Sequence, residues 1–216
     1  CNTAMGGNSL ACNTTGCYNS AHGRDALCAN TTANNNTAVG VSALKVNTTG
    51  ACNTAIGYES LRSNTTALHG VAVGYEALDA NTTPNGNVAV GFRAAKSNVT
   101  GSSITAVGHC ALSANTGNNN TALGFDALKI NQGGANNTAV GNLALAANSS
   151  ASANTAVGQN ALTANTTGTE NVAIGTNALD ANTTAGCNVG VGHGVLSDNT
   201  SGNSNVAMGR NALGSN

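Results

Sequence analysis

The sequence predicts an all-β chain, a parallel β-solenoid of the β-roll kind, on three observations. A repeat of seventeen residues runs from end to end, one glycine recurs at the same place in every repeat, and aromatic residues are nearly absent. The repeat reads Asn-Thr-Ala-Val-Gly-x-x-Ala-Leu-x-x-Asn-Thr-Thr-Gly-x-x. With its first Asn as position 1, thirteen units begin at residues 2, 19, 36, 53, 70, 87, 104, 120, 137, 154, 171, 188 and 205, and only the step from Ile104 to Asn120 is sixteen. An unbroken period of this kind specifies stacked units, each burying its apolar face against the next. The 216 residues include no Trp, 2 Phe, 3 Tyr and 1 Pro, so a thick globular core is out of reach. Charged residues at 7%, combined with strict periodicity, exclude a disordered chain.

Each rung is expected to hold two short strands, at positions 1 to 5 and 8 to 10, with turns at the glycine and at Asn-Thr-Thr-Gly. Position 5 is Gly in all thirteen units, which signals a backbone that a side chain would obstruct. Side chains alternate along a strand, so positions 2 and 4 share one face and position 3 takes the other. Val, Ile and Thr at positions 2 and 4 are expected to join Leu of position 9 in the core. The Ala residues of positions 3 and 8, such as Ala38, Ala43, Ala139 and Ala144, are then expected to face outward as a self-association strip. Charges gather at positions 7 and 10, where they are expected to face solvent. A helix is excluded by the central Gly and the many Asn and Thr. Residues 1–216 read as a single repeat array without a cap at either end, the expectation being a segment of a longer fibre.

The segments Asn171-Val172-Ala173-Ile174-Gly175, Asn87-Val88-Ala89-Val90-Gly91 and Asn205-Val206-Ala207-Met208-Gly209 resemble the core motif of the head repeats of trimeric autotransporter adhesins. The longer Asn-Thr-Ala-Val-Gly unit with its Ala-Leu is similar to repeats of phage tail fibres and bacterial surface fibre proteins. The resemblance implies β-rolls assembled from several identical chains, a trimer in the adhesins, that display an elongated surface outside the cell.

Four features stand out as site residues. Position 12 is Asn throughout, and ten of these lie in Asn-x-Ser/Thr sequons: Asn13, Asn30, Asn47, Asn64, Asn81, Asn98, Asn148, Asn165, Asn182 and Asn199. They form either a column of N-glycans or an inward ladder of stacked amides. Asn115 and Asn131 keep the Asn without a sequon, which favours the ladder. Tyr58, Tyr75, Phe92, His109 and Phe125 occupy position 6 of five successive units, as a contact column or as stacked support for the rungs. Seven cysteines include two pairs sixteen apart, Cys1 with Cys17 and Cys12 with Cys28, which are disulfide candidates and would imply an oxidising compartment. Thr at positions 13 and 14 suggests a flat ice-binding array only weakly, because adjacent side chains point to opposite faces.

No catalytic residues, metal site or cofactor are expected: the histidines stand beside no repeated nucleophile, and no paired Cys-x-x-Cys motif occurs. A formal net charge of −1 offers nothing to nucleic acid, and no apolar run approaches a membrane span. The expected function is therefore the structural shaft of an extracellular or cell-surface filament, a homo-oligomer rather than an enzyme. Its rival is an adhesin or tail-fibre segment that binds glycans or a cell-surface receptor.

Overall fold

The computed structural model describes residues 1–214 of the chain. Its fold is an all-β parallel solenoid with no helix among those residues. Two compact units, Cys1–Val107 and Gly108–Asn216, are built from the same rung. In the first, the strands Thr3–Met5, Ser20–His22, Thr37–Val39, Thr54–Ile56, Val71–Val73, Val88–Val90 and Thr105–Val107 pair in parallel in that order. In the second, Thr121–Leu123, Thr138–Val140, Thr155–Val157, Val172–Ile174, Val189–Val191 and Val206–Met208 do likewise. Register is position on position, with Thr37 opposite Thr54, Ala38 opposite Ala55 and Val39 opposite Ile56. No helix is long and apolar enough to cross a membrane among the described residues.

The expected second strand at positions 8 to 10 is replaced by tandem turns. The amide of position 8 donates to the position 5 carbonyl of its own rung (Ala43 to Gly40, 3.4 Å), and that of position 12 to position 9 (Asn47 to Leu44, 3.2 Å). The amides of positions 7 and 9 donate to neighbouring rungs instead, Ser42 to Arg24 at 2.9 Å and Leu44 to Ser60 at 3.0 Å. This alternation requires left-handed backbone at positions 7 and 9, as at Ser42 (φ 59) and Leu44 (φ 50). For a leucine that conformation costs about 1–2 kcal/mol. Complete burial of the Leu44 side chain offsets it with about 1.5–3 kcal/mol. Beside the sixteen-residue repeat, two short strands, Ala114–Asn115 and Ile130–Asn131, pair in parallel at positions 11 and 12. The missing residue is taken out of the tip: Asn115 Nδ2 reaches the carbonyl of Gly117, two residues on, where Asn47 reaches Gly50.

The faces of the strand are opposite to the expectation. Ala38, Ala43, Ala139 and Ala144 are wholly buried, so the small-residue strip is the core and cannot meet another chain. Val39, Ile56, Leu123 and Ile174 at position 4 are 38–48% exposed. The reason is the width of the rung. A Cβ added to Gly190 at position 3 would stand 3.0 Å from Val195 Cγ1 at position 8 and 3.3 Å from Leu179 Cδ1 at position 9 of the preceding rung. The interior thus holds a methyl between strand and facing turn, with Leu filling the remainder. Where position 8 is the larger Val195, position 3 shrinks to Gly190, a volume-conserving exchange. Ala95, the one position 9 residue that is not Leu, is followed by buried Ile104 at position 1 of the next rung. At the equivalent Gly70, an added Cβ would lie 3.3 Å from Leu61, so Ile104 stands where it fills the space Ala95 leaves.

Glycine at position 5 has two reasons at once. Gly57 has φ +136, which side-chain-bearing residues rarely adopt, and a Cβ there would lie 2.3 Å from the Gly74 carbonyl oxygen of the next rung. Gly141 in the second unit repeats this with φ +135 and 2.5 Å to Gly158.

Candidate functional site

Two asparagine columns line the interior of each unit. At position 12, Asn64 Nδ2 donates to Asn47 Oδ1 (2.7 Å), and Asn47 Nδ2 in turn donates to Asn30 Oδ1 (3.1 Å). Asn148 to Asn131 (2.8 Å) and Asn182 to Asn165 (2.9 Å) continue the pattern in the second unit. The other amide proton goes to the position 15 carbonyl, as from Asn47 to Gly50 (2.9 Å). Of the ten sequon residues, Asn30, Asn47, Asn64, Asn81, Asn98, Asn148, Asn165, Asn182 and Asn199 are buried and Asn13 is half-buried, with Asn13 Oδ1 accepting from Asn30. A glycan needs the very nitrogen that these bonds engage, so the ladder replaces the glycan column.

The sequence reading missed the second column, at position 1. Asn36 Oδ1 accepts the backbone amide of Asn53 (2.9 Å), while Asn36 Nδ2 donates to the same Gly50 carbonyl that Asn47 uses (2.9 Å). In rungs such as this one, with Asn at both positions, the two columns meet at one carbonyl. The signal was available: position 1 is Asn in all units except those starting at Gly70 and Ile104.

The outer corner, at positions 6, 7 and 10, carries nearly all the charge, and its carboxylates are not bathed in solvent as expected. Glu76 and Asp79 are 8% and 7% exposed, and both are paired across rungs. Arg62 grips Asp79 with two bonds, 2.7 and 3.2 Å, which holds the guanidinium pKa up. Glu76 receives Lys96 Nζ at 2.6 Å and Arg93 Nε at 2.8 Å. The lysine bond, aided by that of Arg93 and opposed by burial, keeps the Glu76 carboxyl below its usual range. Asp25 is held down first by a hydrogen bond from Asn8. Asp180 is different: burial raises its pKa, and its Oδ1 has no hydrogen-bond partner.

The position 6 column is stacked. Tyr58 and Tyr75 lie 5.1 Å apart at 11°, Tyr75 and Phe92 5.4 Å at 13°, and in the second unit His109 and Phe125 4.9 Å at 10°. Arg93 lies over Phe92 at 4.9 Å. The stacked rings cover one another's faces, a geometry of mutual support. Threonine hydroxyls at position 13 are also engaged, Thr14 donating to the Thr31 carbonyl (2.9 Å) and Thr48 to that of Thr65 (3.1 Å).

None of the seven cysteines is in a disulfide. A separation of sixteen in a rung of seventeen offsets the partners by one position. Cys12 N donates to the Cys28 carbonyl (3.0 Å), the two side chains still meet in a hydrogen bond, and burial first, then Cys12, pushes the Cys28 thiol up. Cys17 Sγ turns to the Thr15 carbonyl rather than to Cys1. His109, Cys110 and Asp126 stand together, their donor atoms within 4.8 Å of one another. No family model, curated protein or solved structure matches this chain.

Proposed function

We propose that the chain is the structural shaft of an extracellular or cell-surface fibre, associating with further copies of itself, and that it performs no catalysis. The observation that carries this reading is the double asparagine ladder. Both columns run along the stacking direction in each unit, adding side-chain bonds to those of the backbone, so that separating two rungs breaks both sets together. Lateral contact between copies cannot use the buried alanines; the surface offered is the outward Thr, Val and Ile of positions 2 and 4. The resemblance of the Asn-Val-Ala-Ile-Gly units to adhesin heads supports the surface location and a homo-oligomer.

Single-molecule pulling along the chain tests the proposal. Rungs are expected to resist until a high force and then release, with Asn64→Ala and Asn148→Ala lowering that force; smooth extension at low force sinks the shaft reading. The adhesin reading is less supported, because the position 6 rings cover each other's faces. Glycan-array binding that disappears in a Tyr58→Ala, Tyr75→Ala, Phe92→Ala triple variant would establish it instead.

A further inference from the structure

The second unit contains one side-chain cluster that the shaft does not use. His109 and Cys110 occupy positions 6 and 7 of one rung, and Asp126 occupies position 7 of the next, so Cys110 and Asp126 stack directly. Their donor atoms, one from each residue, all lie within 4.8 Å of one another, and His109 Nδ1 is 3.8 Å from Asp126 Oδ1. Asp126 is 8% exposed, and its Oδ1 is buried without a hydrogen-bond partner. The other oxygen, Oδ2, is held by Lys129 Nζ at 2.9 Å, which fixes the carboxylate with Oδ1 turned toward the imidazole. A buried carboxylate oxygen left unsatisfied is costly, because it has given up water without gaining a partner. Glu76, at the same position in the first unit, has a cation at 2.6 Å and another at 2.8 Å and needs nothing more.

We propose that His109, Cys110 and Asp126 bind one divalent transition-metal ion of the zinc class. Imidazole and thiolate select such ions over calcium or magnesium, and the carboxylate completes a three-ligand set with water in the fourth position. Zinc bonds of about 2.0 Å to N and O and 2.3 Å to S place donors about 3.3–3.7 Å apart. The cluster reaches this by a small inward movement, which the 48% exposed His109 side chain is placed to make. On binding, Cys110 releases its thiol proton to water, His109 enters neutral through Nδ1, and the 2+ ion is balanced by thiolate and carboxylate. The ion clips two consecutive rungs together at their outer corner. No Cys-x-x-Cys motif announces such a site because its ligands come from rungs sixteen residues apart.

Cobalt(II) titration of the full chain under reducing conditions tests this. The expected result is a thiolate-to-cobalt charge-transfer band and tetrahedral d–d bands that saturate at one ion per chain and are displaced by zinc. Cys110→Ser should remove the bands; it is expected to fold, since Ser42 holds the same left-handed position. His109→Ala and Asp126→Asn should each weaken binding at least tenfold, while Cys52→Ser changes nothing. Absence of the bands in folded wild-type chain, their survival in Cys110→Ser, or unchanged affinity in His109→Ala or Asp126→Asn overturns the site.

Discussion

Glu76 in the first unit and Asp126 in the second stand at the same position of the rung, equally buried, yet meet different company. Glu76 is answered by two cations from the following rung, Arg93 and Lys96. Asp126 has Lys129 on one oxygen and, on the other, only an imidazole at 3.8 Å with a thiol beside it. The interior changes little by comparison: Ala, Leu, Asn and Gly line both units in the same roles, with Ala95 and Ile104 in the first and Gly190 and Val195 in the second as compensated exchanges. The contrast shows where this fold tolerates variation. A substitution inside a column disturbs both neighbours in the stack, whereas the outer corner requires only that each carboxylate find some partner.

Four measurements sharpen or break that distinction. The largest effect is expected at position 5, where Gly57→Ala and Gly141→Ala force a Cβ against the next rung and should each lose about 2–5 kcal/mol in denaturant unfolding. A similar loss in both units is required; near-neutral behaviour in either would mean that the rungs can separate to admit a methyl. Next, Asn64→Ala and Asn148→Ala should each cost about 1–3 kcal/mol, because each orphans a buried amide above and a carbonyl oxygen below.

The corner should respond far less. Glu76→Gln is expected to lose under about 1 kcal/mol at neutral pH, as partly exposed ion pairs do. Its signature is pH dependence. The Glu76 pKa is depressed in the fold, so its contribution is present above the ordinary glutamate value of 4.5 and lost as pH falls through the lower folded value. Thermal melts at stepped pH should show wild type approaching the variant in acid; a gap that persists there refutes the pairing. Asp180→Asn is the smallest effect and has the opposite sign. Burial raises the Asp180 pKa above the ordinary 3.8, so the protonated form is favoured in the fold and stability is lost as pH rises through the folded value. The variant should therefore melt slightly higher than wild type at neutral pH and show no gain in acid; a lower neutral melting temperature would mean that the carboxylate has a partner.

The asparagine ladder shows how a site can be legible in one column and unread in the next. Asn115 and Asn131 retain Asn without a sequon, and that favoured the ladder at position 12 while leaving the glycan column open. Position 1 carried a similar signal, but Asn at the start of a strand also reads as turn chemistry. The turn at positions 6 to 11 was harder to see. Asn and Asp at position 7 hinted at left-handed backbone, yet Leu at position 9 argued for a strand, since leucine enters that region only when burial offsets the strain. The His109, Cys110 and Asp126 cluster is invisible without rung stacking, because it joins residues from two repeats across the one short step.

From the sequence alone came the period, the parallel stacking in register and the place of the close backbone contact, because a strict repeat allows few other ways to bury an apolar stripe. Which face turned inward was decided only in three dimensions. Alternation separates position 3 from positions 2 and 4 but assigns neither to the interior, and Ala is small enough to serve on either side. The distance from the strand to the facing turn settled it, leaving room for a methyl and a leucine, as the paired exchange of Gly190 and Val195 records. The same stacking supplied the cross-rung partners at the corner, Arg62 for Asp79 and Arg93 with Lys96 for Glu76, which cannot be read within one repeat.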